Sequence, residues 1–185
     1  RTYPDLFLEA FGTTEVSPAR IIMAIATYER ILYTDQTPFD LDVAGIQPLS
    51  AAANRGRGVF NASNCNVCHA GNLFTDNTYR YIGVRPQNDD TGRFQVTANN
   101  GDRGSFRVPG LRNVAQRGTF FHNGQFTTLN QVVAFYNRGG DFNAPNKPTN
   151  LIRNLGLNGG QQADLIAFLQ SLSDARATAE SERFN

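Results

Sequence analysis

The sequence predicts a mainly α-helical protein whose helices are separated by one long irregular stretch. Apolar residues recur at helical spacing in five segments of the 185-residue chain, and most of these segments have a capping residue at their start or a glycine at their end. Residues 70–117, in contrast, show few helix signals and many Gly, Asn, Asp and Pro residues. A loop region of this length is rare in a compact domain unless it packs against something other than its own side chains.

Two helices are predicted at the start of the chain. Residues 1–16 contain several apolar side chains before Gly12, which is typical of a short helix that ends at a glycine. Ser17 and Pro18 are residue types favoured at an N-cap and at the first helical position. The helix that follows is predicted over about 18–33, and its apolar face is formed by Ile21, Ile25, Tyr28 and Leu32.

Three further helices are predicted after a linker over residues 34–48, which contains two prolines and a glycine. Ser50 caps the first of them, over about 51–61. The other two are predicted from Thr127 or Thr128 to about Arg138, and over about 160–173.

The predicted elements divide the chain into three parts. Residues 1–48 form a helical extension or linker, residues 49–174 a compact domain, and residues 175–185 a polar tail that frays. The chain starts at Arg1 without an initiator Met, so a signal peptide, if one existed, is already gone, and we interpret the sequence as a fragment or as one half of a split protein.

Composition and charge exclude some classes of function. The formal net charge is +1, so the chain lacks the basic footprint of a nucleic-acid-binding protein. No apolar run approaches the length needed to cross a bilayer, so we expect no membrane insertion by this chain. Lys147 is the only lysine, and a positive docking patch would therefore be built from arginine.

The strongest chemical signal is the segment Cys65-Asn66-Val67-Cys68-His69, the attachment pattern for c-type haem. Two thiols at this spacing can bond to the two vinyl groups of one porphyrin, and the next residue offers an imidazole to the iron. Two alternatives are a redox disulfide between the cysteines and a zinc site completed by His122. Neither alternative explains the helices that flank the motif, so we predict a single covalent haem c with His69 as the proximal iron ligand.

The helices before and after the motif resemble the first and last helices of small class I cytochromes c, which cross with a glycine and aromatic side chains at the contact. The relevant residues are Gly56 to Phe60 and Asp164 to Leu169. The resemblance implies a class I cytochrome c-like haem domain in which Phe60 contacts the cofactor.

Most of the chain resembles the C-terminal half of the bacterial dihaem cytochrome c peroxidase family, which includes the MauG-like enzymes. The similarity covers roughly residues 3–173 and is carried in family order by residues 3–7, 10–12, 22–26, 29–30, 73–77, 81–84, 102–114, 120–124, 128–129, 132–133 and 135–140. The family has two haem motifs, and this chain has one. The missing motif belongs to the family's N-terminal domain, which holds the peroxide-reactive haem.

The second iron ligand departs from the family pattern. The resemblance places a Met or Tyr ligand near residues 120 and 121, where this chain has Phe120 and Phe121. Met23 is the only Met and is expected in the protein core rather than at the iron. Three hypotheses remain: His122 is the distal ligand, Tyr79 or Tyr81 is the ligand, or the position is open and Phe120 and Phe121 form a dry lid over it.

The resemblance implies two further binding features. Arg107 and Arg112 flank a segment that runs close to the haem in the family, and at least one of them is expected to meet a haem propionate. Calcium, which the dihaem peroxidases hold between their domains, is a weaker expectation. The run Asn88-Asp89-Asp90 suggests a cation site, for which a solvated loop is the alternative.

These patterns predict a c-type cytochrome domain that transfers electrons and exchanges them with a redox partner protein or a second haem domain. One alternative is a haem peroxidase that reduces hydrogen peroxide at an open distal position. Another is a non-catalytic haem subunit of a larger complex. Because haem c is attached outside the bacterial cytoplasmic membrane, a periplasmic or otherwise exported protein is expected.

Overall fold

The computed structural model describes residues 1–31 and 34–176. The chain consists of two compact units, Arg1–Tyr33 and Thr34–Asn185. The first unit contains α1 (Tyr3–Phe11) and α2 (Pro18–Ile31). Thr2 and Asp5 form a capping box at the start of α1, and Gly12 ends it with φ +74°. The prediction of two helices is confirmed, although Leu32 of the predicted apolar face lies outside the described residues.

One prediction for the first unit is wrong. Met23, expected in the core, is 59% exposed on α2, and the neighbouring Ile22 is 65% exposed. The apolar periodicity of α2 therefore does not predict whether Met23 is buried.

The second unit is mainly helical. Its α-helices are α3 (Pro38–Val43), α4 (Ala51–Ala62), α5 (Phe94–Thr97), α6 (Leu129–Asn137) and α7 (Gly159–Gln170). Short 3₁₀ turns cover Cys65–Val67, Asn100–Asp102 and Val114–Gln116. Two short antiparallel strands, β1 (Tyr79–Arg80) and β2 (Phe106–Arg107), pair Tyr79 with Arg107 and Arg80 with Phe106. The predicted fold class is confirmed, and residues 70–117 are largely irregular as predicted.

Helix α3 lies in the stretch predicted to be a linker, so that prediction is wrong. Thr37 caps the helix, Pro38 occupies its first turn, and Asp40 completes a capping box. Arg112 then bonds to Asp40 with 2.6 Å between the guanidinium nitrogen and the carboxylate oxygen. These contacts join residues 34–48 to the second unit.

The crossing of α4 and α7 forms the centre of the second unit. The two backbones approach so closely at Gly56 that a Cβ atom placed there would lie 1.9 Å from the Asp164 carbonyl oxygen. Arg55 forms a bidentate ion pair with the Asp164 carboxylate at 2.7 and 2.8 Å. Phe60 and Phe168 pack together below the crossing with 5.2 Å between ring centroids.

Candidate cofactor site

A cavity of about 470 Å³ lies beside the α4–α7 crossing and is lined mainly by apolar side chains. Cys65, Cys68 and His69 all line it. Helix α6 contributes one wall through Leu129, Val132, Val133 and Tyr136, and the irregular stretch contributes most of the remainder. The long loop region therefore packs around a cavity, which explains how it forms a domain with so little secondary structure of its own.

Local backbone bonds position the attachment motif. Asn64 takes up the left-handed conformation with φ +60° between α4 and the motif, a conformation that asparagine tolerates better than most residues. The His69 amide donates to the Cys65 carbonyl at 2.9 Å, and the Asp76 amide donates to the Cys68 carbonyl at 2.8 Å. These bonds fold residues 65–76 into a compact loop, with both thiols and the imidazole lining the same cavity.

The two cysteines are free thiols, and their surroundings favour the protonated form. Burial raises the pKa of Cys65 to about 11. Burial also raises the pKa of Cys68, while the positive charge of Arg80 acts in the opposite direction. The raised pKa of Cys65 disfavours the thiolate on which a redox-active disulfide site depends.

His69 is held in the tautomer that an iron ligand needs. Its Nδ1 lies 2.9 Å from the Phe74 carbonyl oxygen, which can only accept a hydrogen bond, so Nδ1 carries the proton. Burial lowers the pKa of His69 and favours the neutral ring, although the carbonyls of Phe74 and Pro109 oppose this shift. The neutral imidazole therefore keeps a lone pair on Nε2 that can bind iron. The Phe74 carbonyl also fixes the orientation of the ring.

Two aromatic residues predicted at the site line the cavity. Phe60 is 3% exposed, and its ring also belongs to the main hydrophobic cluster. Phe121 has φ +64°, and its ring lies 4.9 Å from that of Phe135 and 6.0 Å from that of Tyr136. Phe121 thus belongs to an aromatic wall of the cavity.

Of the two arginines that were expected to meet haem propionates, only Arg107 lines the cavity. Arg107 is exposed and lines the cavity, where its guanidinium bonds to the Asn77 side chain. Arg112 is not among the cavity-lining residues, because its guanidinium bonds to Asp40 and to the Asn72 carbonyl. Arg112 therefore secures α3 to the irregular stretch, and the prediction that it belongs to the cofactor site is not supported.

Sequence reasoning missed three other cavity arginines: Arg80, Arg85 and Arg117. Arg80 pairs with Asp76 at 3.0 Å, and Arg85 pairs with Asp89 at 3.4 Å. Arg107 and Arg117 form no ion pair within the part of the chain that the structure describes. Isolated arginines in an irregular segment carry no periodic signal, so the sequence alone offered no means of choosing among them.

The candidates for a second iron ligand lie in different surroundings. His122 lines the cavity, with its ring stacked on Phe106 at 3.6 Å between centroids and its Nε2 3.9 Å from an Asp90 oxygen. Burial lowers the pKa of His122, whereas the charge of Asp90 acts to raise it. Tyr81 also lines the cavity, but its hydroxyl donates to the Arg85 carbonyl at 2.7 Å. Tyr79 is 42% exposed, does not line the cavity, and stacks against Arg93.

Tyr136 is a cavity residue that was not considered as a ligand. Its phenol makes no hydrogen bond within the described part of the chain, and its pKa is raised by burial and, to a smaller extent, by the nearby Cys65 and Cys68. The sequence did contain a signal, since Tyr136 lies on the same helical face as Leu129, Val132 and Val133. A buried tyrosine hydroxyl usually bonds to a partner, and Tyr136 lines the same cavity as those three residues.

The described side chains form no cluster that would bind a metal ion apart from haem iron. Among residues 1–31 and 34–176, no group of three or more His, Cys, Asp and Glu side chains is arranged to hold a metal ion. In the acidic run, Asp89 pairs with Arg85, and an Asp90 oxygen accepts the Gly92 amide at 3.0 Å. These contacts favour the solvated-loop interpretation over a calcium site.

The residues of the cavity fit haem c. An apolar space has two thiols and one neutral imidazole on its wall, and cationic arginines suited to carboxylates also line it. In addition, Nε of Arg80 is buried without a hydrogen-bond acceptor, so the cavity has a donor that the described chain leaves unsatisfied. Fold and site together define a helical c-type haem domain.

The chain belongs to the cytochrome c family, whose family model, described as Cytochrome c, matches residues 53–173. It is similar to the methylamine utilization protein MauG of Methylophilus methylotrophus, with 34% identity over 92% of this chain and 51% of that protein. It is also 34% identical to the cytochrome c551 peroxidase of Pseudomonas aeruginosa over 96% of this chain and 51% of that protein. The resemblance to the cytochrome c peroxidase and MauG-like proteins is thus confirmed.

Solved structures give the same result. A crystal structure described as a MauG-like protein associated with microbial copper homeostasis matches with a TM-score of 0.83 and 27% identity, over 99% of this chain and 61% of the other. The dihaem peroxidase BthA of Burkholderia thailandensis matches with a TM-score of 0.77 and 27% identity, over 96% of this chain and 57% of the other. The chain spans about half the length of the curated relatives it matches.

Covalently bound haem c is the cofactor that this family and the Cys65–His69 motif imply. Within the described residues, no helix has both the length and the apolar character needed to cross a membrane.

Proposed function

We propose that this chain is an electron-transfer domain that carries one haem c, held by Cys65, Cys68 and His69. The observation that supports the proposal best is the placement of these three side chains on one apolar cavity, with Nδ1 of His69 already bonded to the Phe74 carbonyl. When bound, haem c supplies an iron that gains or loses one electron. Each thiol would add across one vinyl group, forming a carbon–sulfur bond while its hydrogen passes to the other vinyl carbon.

The chain's own residues suit electron transfer. The Phe74 carbonyl fixes the orientation of the His69 ring, so Nε2 needs little rearrangement to act as a ligand. Phe60, Phe120 and Phe121 line the cavity and restrict water near the cofactor. A dry and pre-organised site limits how much the surroundings must change when the iron changes its charge.

Tyr136 is our candidate for the second iron ligand. The unpartnered phenol and the position of Tyr136 in the cavity support it. Tyrosine is an established haem ligand in proteins, so the chemistry is available. His122 is the second candidate, but its flat stacking on Phe106 gives its ring another role in the structure.

The partner and location are further parts of the proposal. Relatives named as peroxidases are about twice as long as this chain. We propose that a second haem domain or a separate redox protein exchanges electrons with this one, and that the peroxide-reactive centre lies outside residues 1–185. Because haem c is attached outside the cytoplasmic membrane, we propose a periplasmic or otherwise exported protein.

Reduction of peroxide by this chain itself is the second candidate function. One observation favours it: His122 lines the cavity beside the Asp90 carboxylate, and a histidine in such a position can transfer protons. This function requires an iron that is open to small ligands.

Mass and absorption spectra of the exported, purified protein test the proposal. We expect a mass increased by one haem, no increase in a Cys65→Ser/Cys68→Ser variant, and a low-spin spectrum that is unchanged by cyanide or peroxide. A high-spin spectrum that shifts with either reagent would favour the peroxidase function. A wild-type protein without bound porphyrin, expressed together with a cytochrome c maturation system, would refute both functions.

A further inference from the structure

Arg80 has a position in the cavity that none of the other lining arginines shares. It lies on β1, and its side chain is 29% exposed, compared with 51% for Arg85. Its guanidinium lies close enough to the Cys68 sulfur for each group to affect the protonation of the other. Its Nε is buried without an acceptor within the described residues. Arg80 therefore brings a partly desolvated positive charge to the place where the cofactor is attached.

Asp76 orients this charge. An Asp76 oxygen accepts from the Arg80 guanidinium at 3.0 Å, and the other oxygen accepts the Thr78 amide at 2.9 Å and the Thr78 hydroxyl at 2.8 Å. The Asp76 amide also donates to the Cys68 carbonyl. Burial acts to raise the pKa of Asp76, but the bonds from Thr78 and Arg80 outweigh it and hold that pKa below its usual value. The carboxylate and the guanidinium are thus both charged and fixed beside the attachment loop.

We propose that the Asp76–Arg80 ion pair sets the reduction potential of the haem iron, with Arg80 raising it and Asp76 limiting the increase. This inference rests on the proposed haem function. A nearby positive charge destabilises the ferric state, which carries one more positive charge than the ferrous state, and therefore favours reduction. A negative charge has the opposite effect. Arg80 is the member of the pair that lines the cavity, whereas Asp76 does not line it but lies close enough to His69 to act on the charge of that ring.

The strength of the effect follows from solvent exposure. Charges in a partly buried site interact more strongly than charges separated by water, and salt screens them less. Arg85 also lines the cavity and is paired with a carboxylate, but it is the more exposed of the two arginines. Arg85 is therefore a matched control, for which a smaller and more salt-sensitive effect is expected.

The test is a redox titration of haem-loaded protein, with loading confirmed by mass for every variant. We expect Arg80→Gln to lower the midpoint potential by more than Arg85→Gln does, and Arg80→Lys to retain most of the wild-type value. Asp76→Asn should raise the potential, and the double variant Asp76→Asn/Arg80→Gln should return towards wild type. The shift caused by Arg80→Gln should persist at high salt.

Two outcomes would overturn the inference. One is an Arg80→Gln potential that equals that of wild type or shifts no more than that of Arg85→Gln. The other is an equal decrease in Arg80→Gln and Arg80→Lys without an opposite shift in Asp76→Asn, which would show that Arg80 acts through packing rather than charge. If wild type carries haem and these variants behave in either way, only the role of the ion pair fails, whereas a wild type without haem refutes the proposed function itself.

Discussion

At the level of single residues, the site depends on polar groups whose partners lie a few residues away in the sequence or outside the described chain. The Phe74 carbonyl fixes the His69 tautomer, although the side chain of Phe74 belongs to the hydrophobic core. Tyr136 has the opposite character, because its ring packs among aromatics while its phenol is left without a partner in the described residues. Because Tyr136 lines the cavity, a group bound there could supply the hydrogen-bond or ligand partner that the described chain does not.

Replacing Tyr136 by Phe tests its assignment as iron ligand. We expect Tyr136→Phe to convert the haem spectrum from low-spin to high-spin and to increase binding of cyanide, because the iron loses its sixth ligand while the packing of the ring is retained. Absorption spectra and cyanide titration of the loaded protein measure both effects. Tyr81→Phe is the control, since the Tyr81 hydroxyl already donates to the Arg85 carbonyl and should not change the spin state. An unchanged spectrum in Tyr136→Phe would eliminate this ligand.

Arg107 and Arg117 are predicted to neutralise the two haem propionates. Both line the cavity, and neither has a carboxylate partner in the described residues, whereas Arg80 and Arg85 do. We expect Arg107→Gln and Arg117→Gln each to alter the propionate-bending band in the resonance Raman spectrum and to destabilise the loaded protein by less than about 1 kcal/mol, as is usual for exposed ion pairs. Arg153→Gln, an exposed arginine outside this cavity, should leave the band unchanged. A band that stays at the wild-type position in both cavity variants would contradict the assignment.

At the level of elements, the crossing of α4 and α7 sets where the attachment motif begins. Helix α4 ends at Ala62, three residues before Cys65, so any shift of α4 against α7 also moves the motif. Gly56 permits the close approach, and Phe60 and Phe168 fill the space below it. The sequence predicted this crossing well, because a glycine and aromatic residues at helical spacing are visible in the chain itself.

Two glycines in α4 allow a matched test of the crossing. A Cβ at position 56 would lie 1.9 Å from the Asp164 oxygen and 2.9 Å from the Phe168 Cβ, while a Cβ at position 58 would meet nothing within 4 Å. We expect Gly56→Ala to destabilise the loaded protein by about 3 kcal/mol or more, since backbone must move. Gly58→Ala should stabilise it by up to about 1 kcal/mol through helix propensity. Thermal unfolding measures both, and equal stability of the two variants would show that α4 and α7 do not approach as described.

Helix α3 shows where sequence reasoning failed at this level. The prolines and glycine of residues 34–48 suggested a linker, yet Thr37, Pro38 and Asp40 are residue types that start a helix. The helix is too short for periodicity to reveal it, and its ion pair with Arg112 joins residues 72 positions apart in the chain. A signal from capping residues was available, whereas the partner that stabilises the helix was not.

At the level of the whole molecule, the attachment motif and the long helices could be predicted because their signals are local. The cavity arginines and the contacts of Arg112 could not be predicted, because both depend on how the irregular residues 70–117 fold around the cavity. Residues 70–117 have almost no periodicity, so neither burial nor side-chain direction can be derived from their order. This stretch is instead held by turns and by hydrogen bonds between residues close in the sequence, such as those from Thr78 and Arg80 to Asp76.

A last prediction concerns Asp174, which joins the two ends of the second unit. Its carboxylate accepts the Gln36 amide at 3.2 Å and bonds to the Arg176 guanidinium at 2.6 Å, while its side chain is 3% exposed. The bonds from Arg176 lower the pKa of Asp174 to about 2, and burial opposes them. Because the folded pKa is depressed, the stabilisation is complete above the unfolded pKa of about 4 and is lost as pH falls towards 2.

We therefore expect Asp174→Asn to be less stable than wild type at pH 7 by about 1–2 kcal/mol, a value reduced because Arg176 is half exposed. The difference should shrink between pH 4 and pH 2, where the wild-type carboxylate takes up its proton. Asp141→Asn provides the control, since the ion pair of Asp141 is formed with Arg138, three residues away, and a local pair contributes less. Urea unfolding of the loaded proteins across this pH range measures the difference, and a constant gap between wild type and Asp174→Asn would show that the carboxylate's charge does not hold the two ends together.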